Sequence, residues 1–151
     1  MDCRQDASAA SAGSILLTRC QIRGVEGVVS DGGIRDAKGA TALVMPVFAA
    51  KPSAPTNLTK HHAIDIGLPI SCGGVAVYSG DIMVGDSDGV IVIPRHLATE
   101  VANETIEMER FETFVLGEVR DGASIRGIYP PTDPETFVRF EKWKTLHKRD
   151  R

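Results

Sequence analysis

The chain has 151 residues, of which 42% are hydrophobic and 25% charged, enough to bury a core without disulfides or metals. A formal net charge of -3 offers no broad attraction to phosphate backbones or anionic membranes, so nucleic acid and membrane surfaces are poor candidates as partners. The three cysteines, Cys3, Cys20 and Cys72, lack C-x-x-C spacing, which argues against a disulfide framework or zinc site and for a reducing, cytoplasmic setting.

Residues 1–12 are rich in Ala, Ser and Asp and read as a flexible leader. They show no basic n-region followed by an apolar h-region, and no later stretch reaches about 18 uninterrupted apolar residues, so neither export nor membrane insertion is expected. The segment "SILLTRCQIRG" predicts a short helix with Ser14 as N-cap and Gly24 just past its end. "VEGVVS" then predicts a buried strand, and "PVFAA" near residue 46 another.

Between them, "GVVSDGGIRD" (residues 27–36) breaks an apolar run on two glycines and presents Arg35 and Asp36 side by side. Gly32 and Gly33 can take φ > 0 and let the backbone come close to a bound ligand, which would end the strand abruptly and aim the next two side chains into a site. The bland alternative is a surface ion pair beside a tight turn.

His61 and His62 follow in a loop or strand edge, and adjacent histidines point apart in extended backbone, so joint metal binding is not expected. Cys72 has no general base at a recognisable spacing and reads as a small buried residue. "GGVAVYSGDIMVGDSDGVIVIP" (residues 73–94) predicts three short strands and two turns, with Asp81 and Asp86 satisfying turn amides. Its D-x-D-G lacks the remaining ligands of a calcium loop, since Val90 and Val92 cannot coordinate a hard cation.

After Pro94 the period turns helical, with Leu97, Val101, Met108, Val115 and Val119 on one stripe and Gly122 closing it. A last helix opens with Asp133 as N-cap and Pro134 at its first position, and sets Phe137, Phe140 and Trp143 on neighbouring turns. The tail "KWKTLHKRDR" is locally basic and reads as the solvated end of this helix. With no internal repeat or linker, one domain over residues 13–151 is expected.

Taken together, "GVEGVVSDGGIRD", "PSAPTNL" and "CGGVAVYSGDIMVGDSDGVIVIP" resemble the RraA-like family, which includes the regulator of ribonuclease activity A and the 4-hydroxy-4-methyl-2-oxoglutarate aldolases. The resemblance runs from about Gly13 to about Tyr129. It implies an α/β fold, a swivelling phosphohistidine-domain-like β/α sandwich of the RraA type with C-terminal helices, assembled as a homotrimer or hexamer. It also implies two incompatible functions. The aldolase members use a divalent cation, Mg2+ or Mn2+, to cleave a hydroxylated oxo-acid to pyruvate, and also act as oxaloacetate decarboxylases. The regulator members are non-catalytic and bind ribonuclease E.

Carried over from the aldolases, Asp36 holds the metal and Arg35 clamps the substrate. The segment "GSIL", residues Gly13, Ser14, Ile15 and Leu16, matches a G-[D/E]-x-L element whose backbone amides receive the substrate at a helix N-terminus. Retro-aldol chemistry needs such parts, because negative charge develops on an enolate beside a carboxylate. Two acids of the family pattern are missing: Ser14 stands where Asp or Glu is usual, and "AKG" after Asp36 carries none. The resemblance thus implies a metal-dependent lyase acting on a small oxo-acid, with a binding module or a degraded aldolase as the alternative.

Overall fold

The computed structural model describes residues 1–147, so the basic tail falls outside the described residues beyond His147. The chain divides into two compact units, residues 1–96 and a second beginning at Leu97, where the sequence led to one domain over 13–151.

In the first unit a parallel sheet has the order β1-β2-β3, with β1 at Ala10–Ala12, β2 at Val28–Ile34 and β3 at Val47–Pro52. Parallel strands need crossovers. These are helix α1, Ser14–Ile22, between β1 and β2, and the short helix α2, Ala37–Thr41, between β2 and β3. Ala12, Leu17, Val28, Ile34, Ala40 and Met45 form the buried cluster where both helices cover the sheet. Two hairpins complete the unit: β4, Ile70–Cys72, pairs antiparallel with β5, Val75–Val77, and β6, Ile82–Gly85, with β7, Val90–Ile93. Asp81 accepts from the Tyr78 N–H, and Asp86 from the N–H groups of Asp88 and Gly89, as turn carboxylates do.

The expected leader over residues 1–12 is instead packed into the fold. Ala9, Ala10 and Ala12 are buried, and the small side chains that looked featureless in sequence are what allow close approach to β2. Asp31, itself buried, accepts N–H groups from Cys3 at 2.6 Å, Gln5 at 3.1 Å and Gly73 at 3.2 Å, tying residues 1–5 and the β4–β5 turn to the sheet.

The two glycines of "SDGGI" also correct the sequence reading. Neither has positive φ, and β2 runs through both to Ile34. They serve close packing: a Cβ on Gly32 would lie 2.6 Å from Cys3 Sγ, and one on Gly33 would lie 2.5 Å from Ser53 Cβ and 2.9 Å from the Ala9 carbonyl oxygen. Cys72, expected buried, is half-buried with its Sγ 3.5 Å from the Met1 carbonyl oxygen.

In the second unit α3, Ala98–Arg120, is followed by α4, Pro134–Leu146. The Asp133 carboxylate accepts from the Glu135 N–H with Pro134 at the first helical position, as the sequence predicts. Phe114, Val115, Ile128 and Phe140 form the core, with Phe111 edge-on to Phe140 at 5.2 Å between centroids. Of the three aromatics on α4, Phe140 is buried, Trp143 packs against this core and Phe137 is half exposed. Val115 of the apolar stripe is buried too, while Met108 stays exposed because the Phe111–Phe114 face is the one that meets α4. No helix among the described residues is long and apolar enough to cross a membrane.

Candidate functional site

Arg35 and Asp36 leave the end of β2, and the chain turns sharply there because Asp36 adopts the left-handed conformation, φ 60° and ψ 45°. The sequence assigned that freedom to the glycines. Asp is one of the few side chains that enters this region readily, and a non-glycine held there marks a place where surrounding contacts fix the backbone. The Asp36 carbonyl then accepts from the N–H groups of Gly39 and Ala40, starting α2.

The other half of the site comes from the β1–α1 junction. Gly13, not Ser14, is the N-cap of α1: its backbone is extended and its carbonyl receives the Leu17 N–H at 3.1 Å. Ser14 is therefore the first helical residue, and its side chain is free for another partner. Both its N–H and its hydroxyl donate to Asp36 Oδ2, each at 3.2 Å. Arg35 Nε lies 3.5 Å from the same oxygen. Glycine clears the space on both sides: a Cβ on Gly13 would sit 3.0 Å from Asp36 Oδ2, and one on Gly39 3.0 Å from Ser14 Cβ.

The electrostatics follow from these bonds. The Ser14 backbone N–H foremost holds the Asp36 carboxyl below the usual carboxylate range; burial opposes it, and the Ser14 hydroxyl and the Arg35 guanidinium add to the lowering. Asp36 is thus an anion at neutral pH with Oδ2 engaged, and among the described residues Oδ1 has no hydrogen-bond partner. Both Arg35 and Asp36 are about 40% exposed, so the pair faces solvent.

Of the predicted site residues, the structure brings together Gly13, Ser14, Arg35 and Asp36. Ile15 and Leu16 join only through the backbone. Their N–H groups lie in the first turn of α1, where helices leave donors without intrahelical partners, and their side chains are 84% and 50% exposed. The cavity of about 360 Å3 lined by Ile34, Ala40, Leu43, Met45, Val47 and Lys51 includes neither Arg35 nor Asp36. The candidate site is therefore an open surface.

Elsewhere, His61 has its Nε2 buried without a partner while His62 is exposed, and among the described residues no group of three or more His, Cys, Asp or Glu side chains could hold a metal ion. Sequence reasoning missed Asp31. The available signal was a carboxylate inside an apolar strand run, which needs buried donors if the run continues past it.

Comparison with known proteins places the sequence and the fold. A family described as RraA-like, Aldolase/RraA, matches residues 1–92. A protein of Halalkalibacterium halodurans carrying the provisional name 4-hydroxy-4-methyl-2-oxoglutarate aldolase is 40% identical over 95 residues, 63% of this chain and 45% of that one. The crystal structure of Streptomyces coelicolor RraAS2, described as an unusual member of the RNase ES inhibitor RraA protein family, superposes with a TM-score of 0.63 at 27% identity, covering 76% of this chain and 58% of that one. An uncharacterized protein from Pseudomonas syringae pv. tomato shares the fold with a TM-score of 0.77 at 22% identity, over 85% of this chain and 64% of its own. The chain thus spans less than half of the aldolase relative and under two thirds of either solved structure.

Proposed function

The chain belongs to the RraA-like family, and we propose that within it this protein is a divalent-metal-dependent carbon–carbon lyase releasing pyruvate from a small oxo-acid. The observation that carries the reading is the meeting of Arg35, Asp36 and the N-terminus of α1 on one open surface. The aldolase name of a 40% identical relative supports the substrate class.

The donor set fits a hard cation such as Mg2+ or Mn2+, which keeps several waters and takes few protein oxygens, and does not fit zinc, which needs three or four ligands. Asp36 would hold it through Oδ1, the oxygen its neighbours leave open. When bound, the cation supplies Lewis-acid stabilisation of charge on a substrate oxygen. Arg35 offers a planar two-pronged donor for a carboxylate. The first-turn N–H groups of Ile15 and Leu16 and the positive end of the α1 dipole favour an anionic oxygen nearby. The Ser14 hydroxyl donates its hydrogen bond to Asp36, so Ser14 orients the carboxylate and does not act as a base.

A second reading is a non-catalytic regulator. It is favoured by Ser14 standing where an acid is usual and by the solved relative described as belonging to an RNase ES inhibitor family. Assembly as a trimer or hexamer belongs to both readings, and light scattering at micromolar concentration measures it. The deciding experiment is Mg2+-dependent pyruvate release from a panel of 4-hydroxy-2-oxo acids and oxaloacetate, with Asp36→Ala and Arg35→Lys alongside wild type. The lyase reading expects activity in wild type, loss of Mg2+ binding in Asp36→Ala, and Mg2+ binding with impaired turnover in Arg35→Lys. Mg2+ binding without pyruvate from any acid would favour the regulator.

A further inference from the structure

The strands that deliver the two halves of the site are each interrupted by one extra residue just before it. Against β2, strand β1 pairs Ala10 with Gly33 and Ala12 with Ile34, so Ser11 is inserted. Against β3, strand β2 pairs Ser30 with Ala49 and Gly33 with Lys51, so one residue of the Asp31–Gly32 step is inserted. Successive strand residues point to opposite faces, so one inserted residue reverses the facing of the strand residues after it, Ala12 in β1 and Gly33 and Ile34 in β2, and so sets the direction in which each strand hands the chain on. Gly13 and Ser14 follow the first bulge, and Arg35 and Asp36 the second.

The bulges are cross-linked by two hydroxyls whose hydrogen-bond directions can be assigned. Ser11 Oγ lies 2.9 Å from the Gly33 carbonyl oxygen, which can only accept, so the single Ser11 hydroxyl proton goes there. Ser11 and Ser30 Oγ are 2.8 Å apart, so in that contact Ser30 is the donor. Ser30 Oγ in turn accepts the Gly32 N–H at 3.1 Å. The chain runs from the Gly32 N–H through Ser30 and Ser11 to the Gly33 carbonyl, with each donor used once. Ser30 is buried, and Gly32 and Gly33 leave no room for the bulges to shift. Beyond them the strand ends stay tied by the Arg35 N–H on the Ala12 carbonyl at 2.9 Å.

We propose that Ser11 and Ser30 are positioning residues whose hydroxyl chain locks the paired bulges and so sets the facing with which Arg35–Asp36 and Gly13–Ser14 meet. The proposal rests on the reading of those residues as the working site and is independent of the reaction performed there. The test uses the full chain, 15N-labelled, as Ser11→Ala, Ser11→Thr and Ser11→Val. Thr and Val fill the same space and differ by the hydroxyl alone.

The readout is the Ser14 backbone amide resonance, because that N–H lies on Asp36, with thermal melting as the check on folding. Ala and Val are expected to move the Ser14 signal while melting cooperatively, and Thr to restore it. If the lyase reading holds, kcat falls on the order of 10²-fold in Ala and Val with KM little changed, as for an ångström-scale misplacement, and Thr recovers it. Folded Ala and Val variants with the Ser14 signal at its wild-type position would overturn the proposal. So would failure of both to fold while Thr folds, since the hydroxyl would then support the whole unit rather than the site. If wild type releases no pyruvate, the lyase reading falls and the amide readout still decides this one.

Discussion

Asp31→Ala should detach the N-terminal segment. The carboxylate accepts three backbone N–H groups, and the one from Cys3 is both the shortest, at 2.6 Å, and buried. Hydrogen bonds to a charged group each contribute about 1.5–3 kcal/mol net, which for three would sum to roughly 4.5–9 kcal/mol if nothing relaxed. Relaxation is available here. Gln5 and Gly73 lie at exposed positions where water can replace the carboxylate, and Arg4 and Gln5, with φ of 54° and 59°, recover backbone strain once released. What remains is the bond to Cys3 and the cost of leaving its buried N–H unpaired, for a net loss of about 2–4 kcal/mol. Asp31→Asn should recover only part of this, because an amide has one acceptor oxygen and its NH2 would face donors. Urea denaturation measures the loss, and amide exchange should show faster exchange at Cys3 and Gln5 than in β2. A change under about 1 kcal/mol for Asp31→Ala, with those amides still protected, would refute the reasoning.

Three further outcomes are expected. Because the Asp36 carboxyl is held below its ordinary value, its contribution to stability is complete above the usual carboxylate range and is lost as pH falls through the depressed value; the difference in urea midpoint between wild type and Asp36→Asn should shrink on going from pH 7 to below about 4. Gly32→Ala should lose about 1–3 kcal/mol by overpacking against Cys3, whose Cβ as well as Sγ lies under 3 Å from the added methyl, and thermal melting measures it. Phe140→Ala should cost about 3–5 kcal/mol as the buried centre of the α3–α4 core, and Asp133→Ala about 1 kcal/mol through the lost cap, both read by urea denaturation.

What the sequence made legible was whatever a few neighbouring residues decide. The Asp133–Pro134 start, the carboxylates at Asp81 and Asp86 and the helical period after Pro94 are local signals, and each appears where expected. The N-terminal segment was not legible. Its order depends on Asp31, 28 residues from Cys3, and on alanines whose merit is smallness. Gly32 and Gly33 were read as taking φ > 0 and admitting a ligand, whereas their need for smallness comes from Cys3 and Ser53, which no local pattern reveals. Arg35 and Asp36 could be singled out as adjacent residues after an apolar strand. Their meeting with Gly13 and Ser14 came from family resemblance, since no spacing rule places a helix start against a strand end 22 residues on.

The energetics of that meeting bear on why it exists. An ion pair as exposed as Arg35 and Asp36 adds little to stability, and its solvent screening leaves it weak in salt. Yet Asp36 is held in a left-handed backbone, and Gly13 and Gly39 stand where a Cβ would press on Asp36 and Ser14, at the cost of backbone freedom in the unfolded chain. Gly39 lies inside α2, where glycine is a poor helix former, so the space it keeps for Ser14 comes at a cost in helix stability. The small residues instead preserve one feature, a carboxylate with Oδ2 fixed by Ser14 and Arg35 and Oδ1 left open. Under the proposed lyase reading this is the preorganisation a site requires, because a carboxylate oxygen offered to a cation would be aimed before the cation arrives.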